Sequence, residues 1–284
     1  MFDIKPAFVF VHGAWQAAAV WRKLMPLLEA RGHAVRALDL PGAGAHARHP
    51  VSFDRRPLDT HAFASEASPN AATTQDDRTR AVIDLVESTR KHTGAPVALV
   101  GHSVGGLTVT AVAEAIPQRL HAAVYLCAYM VAPGMSALAL RQHPVMHGSL
   151  IPTLQKANPR QTGALRIDPR SDDPAYREQM RLAFCGDMSA DDLARELVHM
   201  HSDEAAGPLL LPSPMTAERF GRVPRHYVRT LDDRAIPAAA QDFMIAGVDG
   251  AMGNRTHTHT LAAAHMPQLS RPEALAGVLS AIAA

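Results

Sequence analysis

Residues 96–116 read Pro-Val-Ala-Leu-Val-Gly-His-Ser-Val-Gly-Gly-Leu-Thr-Val-Thr-Ala-Val-Ala-Glu-Ala-Ile. An apolar run of strand length, Val97 to Val100, meets Gly101-His102-Ser103-Val104-Gly105, and an apolar stretch of helical length, Leu107 to Ile116, follows. A chain that passes from strand to helix over so few residues must turn sharply, and the glycines on either side of Ser103 leave room for the crowded backbone. The serine hydroxyl then stands above the end of the strand. Ser103 is therefore the first candidate for a nucleophile.

The same alternation runs through the rest of the chain. Ala7 to Val11 is an unbroken apolar run closed by His12-Gly13, as suits a strand buried on both faces of a parallel sheet. Trp21 to Arg31 reads as a helix stopped at Gly32, and Ala34 to Leu40 as a second strand ending at Pro41. Residues 45–72, rich in His, Arg, Pro and Ser, predict a long irregular loop, after which Thr74 opens a helix to about Lys91. His121 to Met130 and Arg225 to Thr230 are further strands, Pro237 to Ala246 a helix, and Arg255 to Leu261 the last strand. Ser270, Pro272 and Glu273 have the spacing of a capping box at the head of the final helix. This order predicts an α/β fold with a mostly parallel, doubly wound sheet. Between Pro133 and Pro214 the character shifts to Met, Pro and Leu, with short helices over Pro174 to Ala183 and after Ser189. The expected organisation is a core of residues 1–132 and 215–284, with residues 133–214 inserted as a helical cap.

A formal charge of +1 without any basic run excludes a phosphate-tracking surface, so no nucleic-acid partner is expected. Met1 to Pro6 lead straight into the first strand, which leaves no room for a signal peptide, and no apolar stretch reaches membrane-spanning length. A cytoplasmic protein is expected, with a small-molecule partner and its oligomeric state open, a homodimer included. Cys127 and Cys185 are the only cysteines and read as buried free thiols rather than a disulfide framework.

A serine hydroxyl needs a base to take its proton and an acid to orient that base. In a strand–turn–helix architecture the acid follows the nucleophile in the chain and the histidine comes last, each after a later strand. Leu231-Asp232-Asp233-Arg234 follows the strand at Arg225 to Thr230, and Ala262-Ala263-Ala264-His265-Met266-Pro267 follows the last strand. The constellation is Ser103, Asp232 or Asp233, and His265. Two backbone N–H groups must also meet the developing oxyanion, and Val104, after the serine, and Ala14, in the turn after the first strand, are the candidates. His257 and His259 alternate along the last strand and could share a face, but no carboxylate or cysteine accompanies them. His199 and His201 stand in the same position. No metal and no organic cofactor are expected, and Gly42-Ala43-Gly44 lacks the rest of a dinucleotide fingerprint.

These residues resemble a family. Phe8 to Leu40 with His-Gly-Ala and Trp21, Gly-His-Ser-Val-Gly-Gly, Ala-Tyr-Met at 128–130, Asp233 four residues before Pro237 with Gln241 beyond, and His265-Met-Pro-Gln-Leu-Ser are similar to the α/β-hydrolases that include plant hydroxynitrile lyases, the salicylate-binding methylesterase and bacterial esterases. The resemblance implies an α/β-hydrolase fold and favours Asp233 as the acid. It also separates two chemistries, because the lyases carry threonine in the place of Gly13 and lysine in the place of Met266, where a cation can stabilise departing cyanide. Gln16-Ala17 in place of the family's His-Gly, and the long 45–72 segment, depart from the pattern near the expected mouth of the site. Gly13, Trp15, His102, Tyr129 and Met266 are the expected neighbours of the substrate.

The expected function is that of a serine carboxylesterase acting through an acyl-enzyme on a small to medium apolar or aromatic ester. The rivals are a lactonase or thioesterase, a hydroxynitrile-lyase-like cleavage on the same residues, and a non-catalytic ligand-binding protein on a hydrolase fold.

Overall fold

The unbroken apolar sequence of Ala7–Val11 becomes strand β1, buried at every position. In the computed structural model, which describes residues 5–284, it pairs with β2 (Val35–Ala37) on one side and β3 (Val97–His102) on the other, and β4 (Leu120–Leu126) adds beyond β3. Two short strands, β5 (Ala164–Arg166) and β6 (Asp203–Ala205), form a separate antiparallel pair. The chain then returns to the main sheet with β7 (Arg225–Thr230) and β8 (His257–Leu261). The order is β2-β1-β3-β4-β7-β8, parallel throughout. Strand order reverses between β1 and β3, where connections leave in opposite directions and open a crevice beyond the strand C-termini.

Helices α1 (Met25–Glu29), α2 (Thr60–Ser65), α3 (Gln75–Thr93) and α4 (Gly105–Ala115) belong to the first half of the chain. Thr74 caps α3 by accepting the Asp77 N–H, while the Asp77 carboxylate accepts from the Thr74 backbone, so both orphan donors are paired. Helices α5 (Ala137–Arg141), α6 (Pro159–Thr162), α7 (Pro174–Cys185), α8 (Ala190–Leu197) and α9 (Gly207–Leu210) lie in the insertion between β4 and β7. Helices α10 (Ala238–Met252), α11 (Pro267–Ser270) and α12 (Pro272–Ile282) complete the chain. No helix among the described residues is long and apolar enough to cross a membrane.

The structure alters four local expectations. The helix read over Trp21 to Arg31 breaks into a 3₁₀ turn, Ala18–Trp21, and the short α1, because Pro26 cannot donate to the preceding turn. Only Val35–Ala37 of the second strand is paired. Ser270 closes α11 instead of capping α12, and its hydroxyl is buried without a partner. Residues 45–72 are not irregular: 3₁₀ turns at Gly44–His46 and Val51–Asp54 precede α2, and Phe53 stacks on Phe63.

That segment is held by the insertion. Arg166 in β5 is fully buried, and its guanidinium forms a two-pronged pair with Asp203, directly opposite in β6, at 2.7 and 2.6 Å. A third N–H group donates to the carbonyls of Phe63 and Glu66. Removing the cation alone would strand a buried carboxylate, so Arg166→Met is expected to lower the unfolding free energy by about 3–5 kcal/mol. In urea melts, Arg166→Met/Asp203→Leu is expected to recover part of that loss. An unchanged midpoint for the single variant would contradict this account.

Candidate active site

β3 ends at His102, and the next residue, Ser103, takes φ +53°, a left-handed conformation that costs a non-glycine residue about 1–3 kcal/mol. Packing imposes it. A Cβ on Gly101 would lie 2.5 Å from Val109 Cγ2, and one on Gly105 would lie 2.6 Å from the His12 carbonyl oxygen, so the turn closes only with glycine at both places. The Ser103 carbonyl accepts the N–H groups of Tyr129 (2.9 Å) and Gly106 (3.1 Å), which ties the turn to the segment after β4.

Asp233 and His265 come from the loops after β7 and β8. His265 Nδ1 donates to Asp233 Oδ2 at 2.7 Å, with both side chains buried. The other Asp233 oxygen accepts the N–H groups of Ala235 and Ile236 at 2.8 Å each, and Thr230 Oγ1 donates to Oδ2 at 3.0 Å. Four donors on one carboxylate fix its plane. Gln241 on α10 locks the loop by accepting the Thr230 N–H and donating to the carbonyls of Thr230 and Ile236. Asp232, the other carboxylate open on sequence, is exposed and only its backbone N–H is engaged, with the Ala263 carbonyl.

Two buried side chains hold the backbone of His265. His102 Nε2 lies 2.8 Å from the His265 carbonyl oxygen, and the Cys127 thiol donates to the same oxygen at 3.2 Å. Burial drives the His102 imidazole well below its ordinary pKa, which makes it neutral and assigns its proton to Nε2. Burial, with the Asp233 charge adding to it, keeps the Cys127 thiol protonated. Among the described residues, His102, Cys127 and His265 also place metal-ligating atoms within 4.8 Å of one another. The His102 and Cys127 atoms of that group are already engaged with the His265 carbonyl. The His257 and His259 pair meets a third imidazole on β7, with His226 Nδ1 3.1 Å from His259 Nε2 and its ring stacked 5.0 Å from His257.

Ser103 and His265 line one cleft, of about 370 Å³ including its open mouth. No hydrogen bond joins their side chains in this arrangement; in unliganded sites that contact is often loose and tightens with substrate. Ala14 and Val104 line the same cleft, and neither N–H is engaged by another described residue. They come from the turns after β1 and β3, which flank the crevice. Of the expected substrate neighbours, Trp15 and Tyr129 line the cleft. Gly13, His102 and Met266 do not. Gly13 lies behind Ser103, where an added Cβ would be 2.9 Å from the serine Cβ, His102 is fully buried under His265, and Met266 is turned away, its sulfur 3.6 Å from Gln16 Nε2. Sequence reasoning missed Arg141, Ile151 and Phe184 from the insertion, and Ala235 and Ile236 after the acid. Only the Ile236-Pro237 pair beside Asp233 marked any of them.

The Trp15 turn is clasped to the insertion: its indole N–H donates to the Leu165 carbonyl in β5 at 2.9 Å, and its carbonyl accepts the His201 N–H at 3.0 Å. The His201 ring is buried with Nε2 unpartnered, and burial pushes its pKa down to about 3. The unfolded chain titrates near 6.5 and so binds more protons between about pH 6.5 and 3, and stability must fall as pH drops through that window. His201 contributes a slope of up to about 1.4 kcal/mol per pH unit there. Denaturant melts at pH 7.5, 5.5 and 4.5 are expected to show a shallower acid loss for His201→Asn than for wild type. Parallel slopes would refute the assignment.

Comparison with known proteins agrees with this fold. The profile described as "Alpha/beta hydrolase family" matches residues 8–278. The chain is 30% identical to salicylic acid-binding protein 2 of Nicotiana tabacum, over 97% of this chain and 96% of that protein. It is 27% identical to the alpha-hydroxynitrile lyase of Arabidopsis thaliana, over 98% of this chain and 97% of the lyase. A crystal structure of a pyrethroid hydrolase superposes with a TM-score of 0.75 at 25% identity, covering 98% of this chain and 97% of that one. The fold is the α/β-hydrolase fold, and the chain belongs to the alpha/beta hydrolase family.

Proposed function

We propose that this protein is a serine carboxylesterase. The observation that carries the reading is the 2.7 Å hydrogen bond from His265 Nδ1 to the four-donor Asp233 carboxylate, beside a serine held at φ +53° in the same cleft. With Nδ1 donating to Asp233, Nε2 of His265 is the nitrogen that offers a lone pair to the serine. Ser103 Oγ attacks the ester carbonyl while His265 Nε2 takes its proton, and the oxygen becomes an oxyanion received by the Ala14 and Val104 N–H groups. Collapse expels the alcohol, protonated by His265, and leaves an acyl group on Ser103. Water, deprotonated by His265, then releases the acid and restores the serine.

Trp15, Tyr129, Ile151, Phe184 and Ile236 supply aromatic and aliphatic walls, which supports a small to medium apolar or aromatic body for the ester. Residues 133–214 act as the cap that provides Ile151 and Phe184. Relatives named as esterases, among them the polyneuridine aldehyde esterase of Rauvolfia serpentina at 26% identity, support hydrolysis. The lyase reading has a named relative too. It lacks a cation after His265, since Met266 is neutral and packed on Gln16.

The test is a panel of 4-nitrophenyl and methyl aryl esters, with mandelonitrile alongside. The expected result is saturable ester hydrolysis with at most one equivalent of chromophore in any initial burst, and no cyanide. A folded protein that turns over no ester, or that releases cyanide alone, would sink the proposal.

A further inference from the structure

The cleft beside Ser103 contains a charge that the reaction above does not use. Arg141, the last residue of α5, lines it together with Tyr129, Ile151 and His265. Among the described residues its guanidinium makes no ion pair and no hydrogen bond, unlike the buried Arg78 and Arg166, which are paired with Glu204 and Asp203. No carboxylate among the described residues lines the cleft; Asp233 is behind His265 and already holds four donors. Among the described residues the Tyr129 hydroxyl has no hydrogen-bond partner either. Its phenol is pushed upward by burial, and the Arg141 charge in the same cleft acts against that rise. A half-buried guanidinium in a cleft without an acidic lining residue is left to find its counter-charge in the ligand.

We propose that Arg141 is a specificity residue which selects esters carrying a second, free carboxylate: half-esters of dicarboxylic acids, or aryl esters with a ring carboxylate. The guanidinium fork matches a carboxylate with two parallel N–H···O bonds. The Tyr129 hydroxyl offers a further donor in the same cleft. The substrate's apolar body spans the distance to Ser103, and the anchored carboxylate sets the ester carbonyl over the Ala14 and Val104 N–H groups. Held this way, the cation also offsets repulsion between the substrate's carboxylate and the oxyanion that forms during attack. The inference rests on the esterase reading for its kinetic form but not for its binding form.

Two matched pairs test it: 4-nitrophenyl hemiglutarate against 4-nitrophenyl valerate, with the charge on the acyl side, and 3-acetoxybenzoate against phenyl acetate, with the charge on the leaving group. In one pair the charged member is expected to have the higher kcat/KM by about 10- to 100-fold, the range of a charge-assisted pair. Arg141→Gln should bring that ratio to about one, Arg141→Lys should keep part of it, and added salt should shrink it in wild type. A wild-type ratio near one in both pairs, or a ratio that survives Arg141→Gln, overturns the proposal while leaving the esterase reading intact. If no ester is turned over at all, the esterase reading fails, and calorimetric binding of glutarate and 3-hydroxybenzoate to the Ser103→Ala protein decides the carboxylate site separately. Binding weakened tenfold or more by Arg141→Gln supports it, and unchanged or absent binding overturns it.

Discussion

Ser103→Ala is expected to lower kcat for a small aryl ester by about 10⁶-fold, the scale seen when a serine hydrolase loses its nucleophile. The variant keeps a Cβ at φ +53° and keeps every backbone bond that ties the turn to Tyr129 and Gly106, so its thermal unfolding should match wild type closely. The Ala14 and Val104 N–H groups also survive, and a slow residual rate above solution hydrolysis is expected from them. An organophosphonate probe that becomes attached to wild type at one equivalent per chain should fail to label the variant. Retention of more than a hundredth of the activity would mean that another group attacks the carbonyl.

Asp233→Asn is the second large effect, at about 10⁴-fold in kcat. The reason lies in how the carboxylate is used. Oδ1 accepts from Ala235 and Ile236, so an asparagine would keep its carbonyl oxygen there and turn its NH₂ toward His265 and Thr230. An NH₂ facing Nδ1 selects the tautomer with its proton on Nε2, and the ring can no longer accept from Ser103. Activity should recover partly at high pH while KM changes little. Asp232→Asn, on the exposed neighbour, should remain within a few-fold of wild type. If the two variants lost activity equally, the acid would not be Asp233.

The turn at Ser103, the pairing of Asp233 with His265 and the turn at Ala14 were readable from sequence because each sits within a few residues of a strand end, and strand ends on one sheet edge converge whatever the loops do. The choice between Asp232 and Asp233 was not readable from the residues alone, because it depends on which carboxylate meets the Ala235 and Ile236 N–H groups. Resemblance supplied the answer before geometry did. Arg141, Ile151 and Phe184 were invisible for a different reason: they lie in an insertion whose path over the cleft is set by long-range packing. His102 was placed beside the substrate by its position in the motif, yet the ring turns inward to the His265 carbonyl. Ser270 shows the same limit at a smaller scale, since a capping-box spacing cannot reveal that the serine already belongs to the preceding turn of helix.

The double clasp on Trp15 has a consequence for how the cleft can be reshaped. The residue next to Ala14 is fastened to Leu165 through its side chain and to His201 through its carbonyl, so displacing the β5–β6 pair would drag the turn that carries the Ala14 N–H with it. Arg141, at the end of α5, and Ile151 line the same cleft from another part of the insertion, and neither takes part in that clasp. Exchanging the side chains of Arg141 or Ile151 would therefore reshape the cleft without loosening the two bonds that hold the turn beside Ala14.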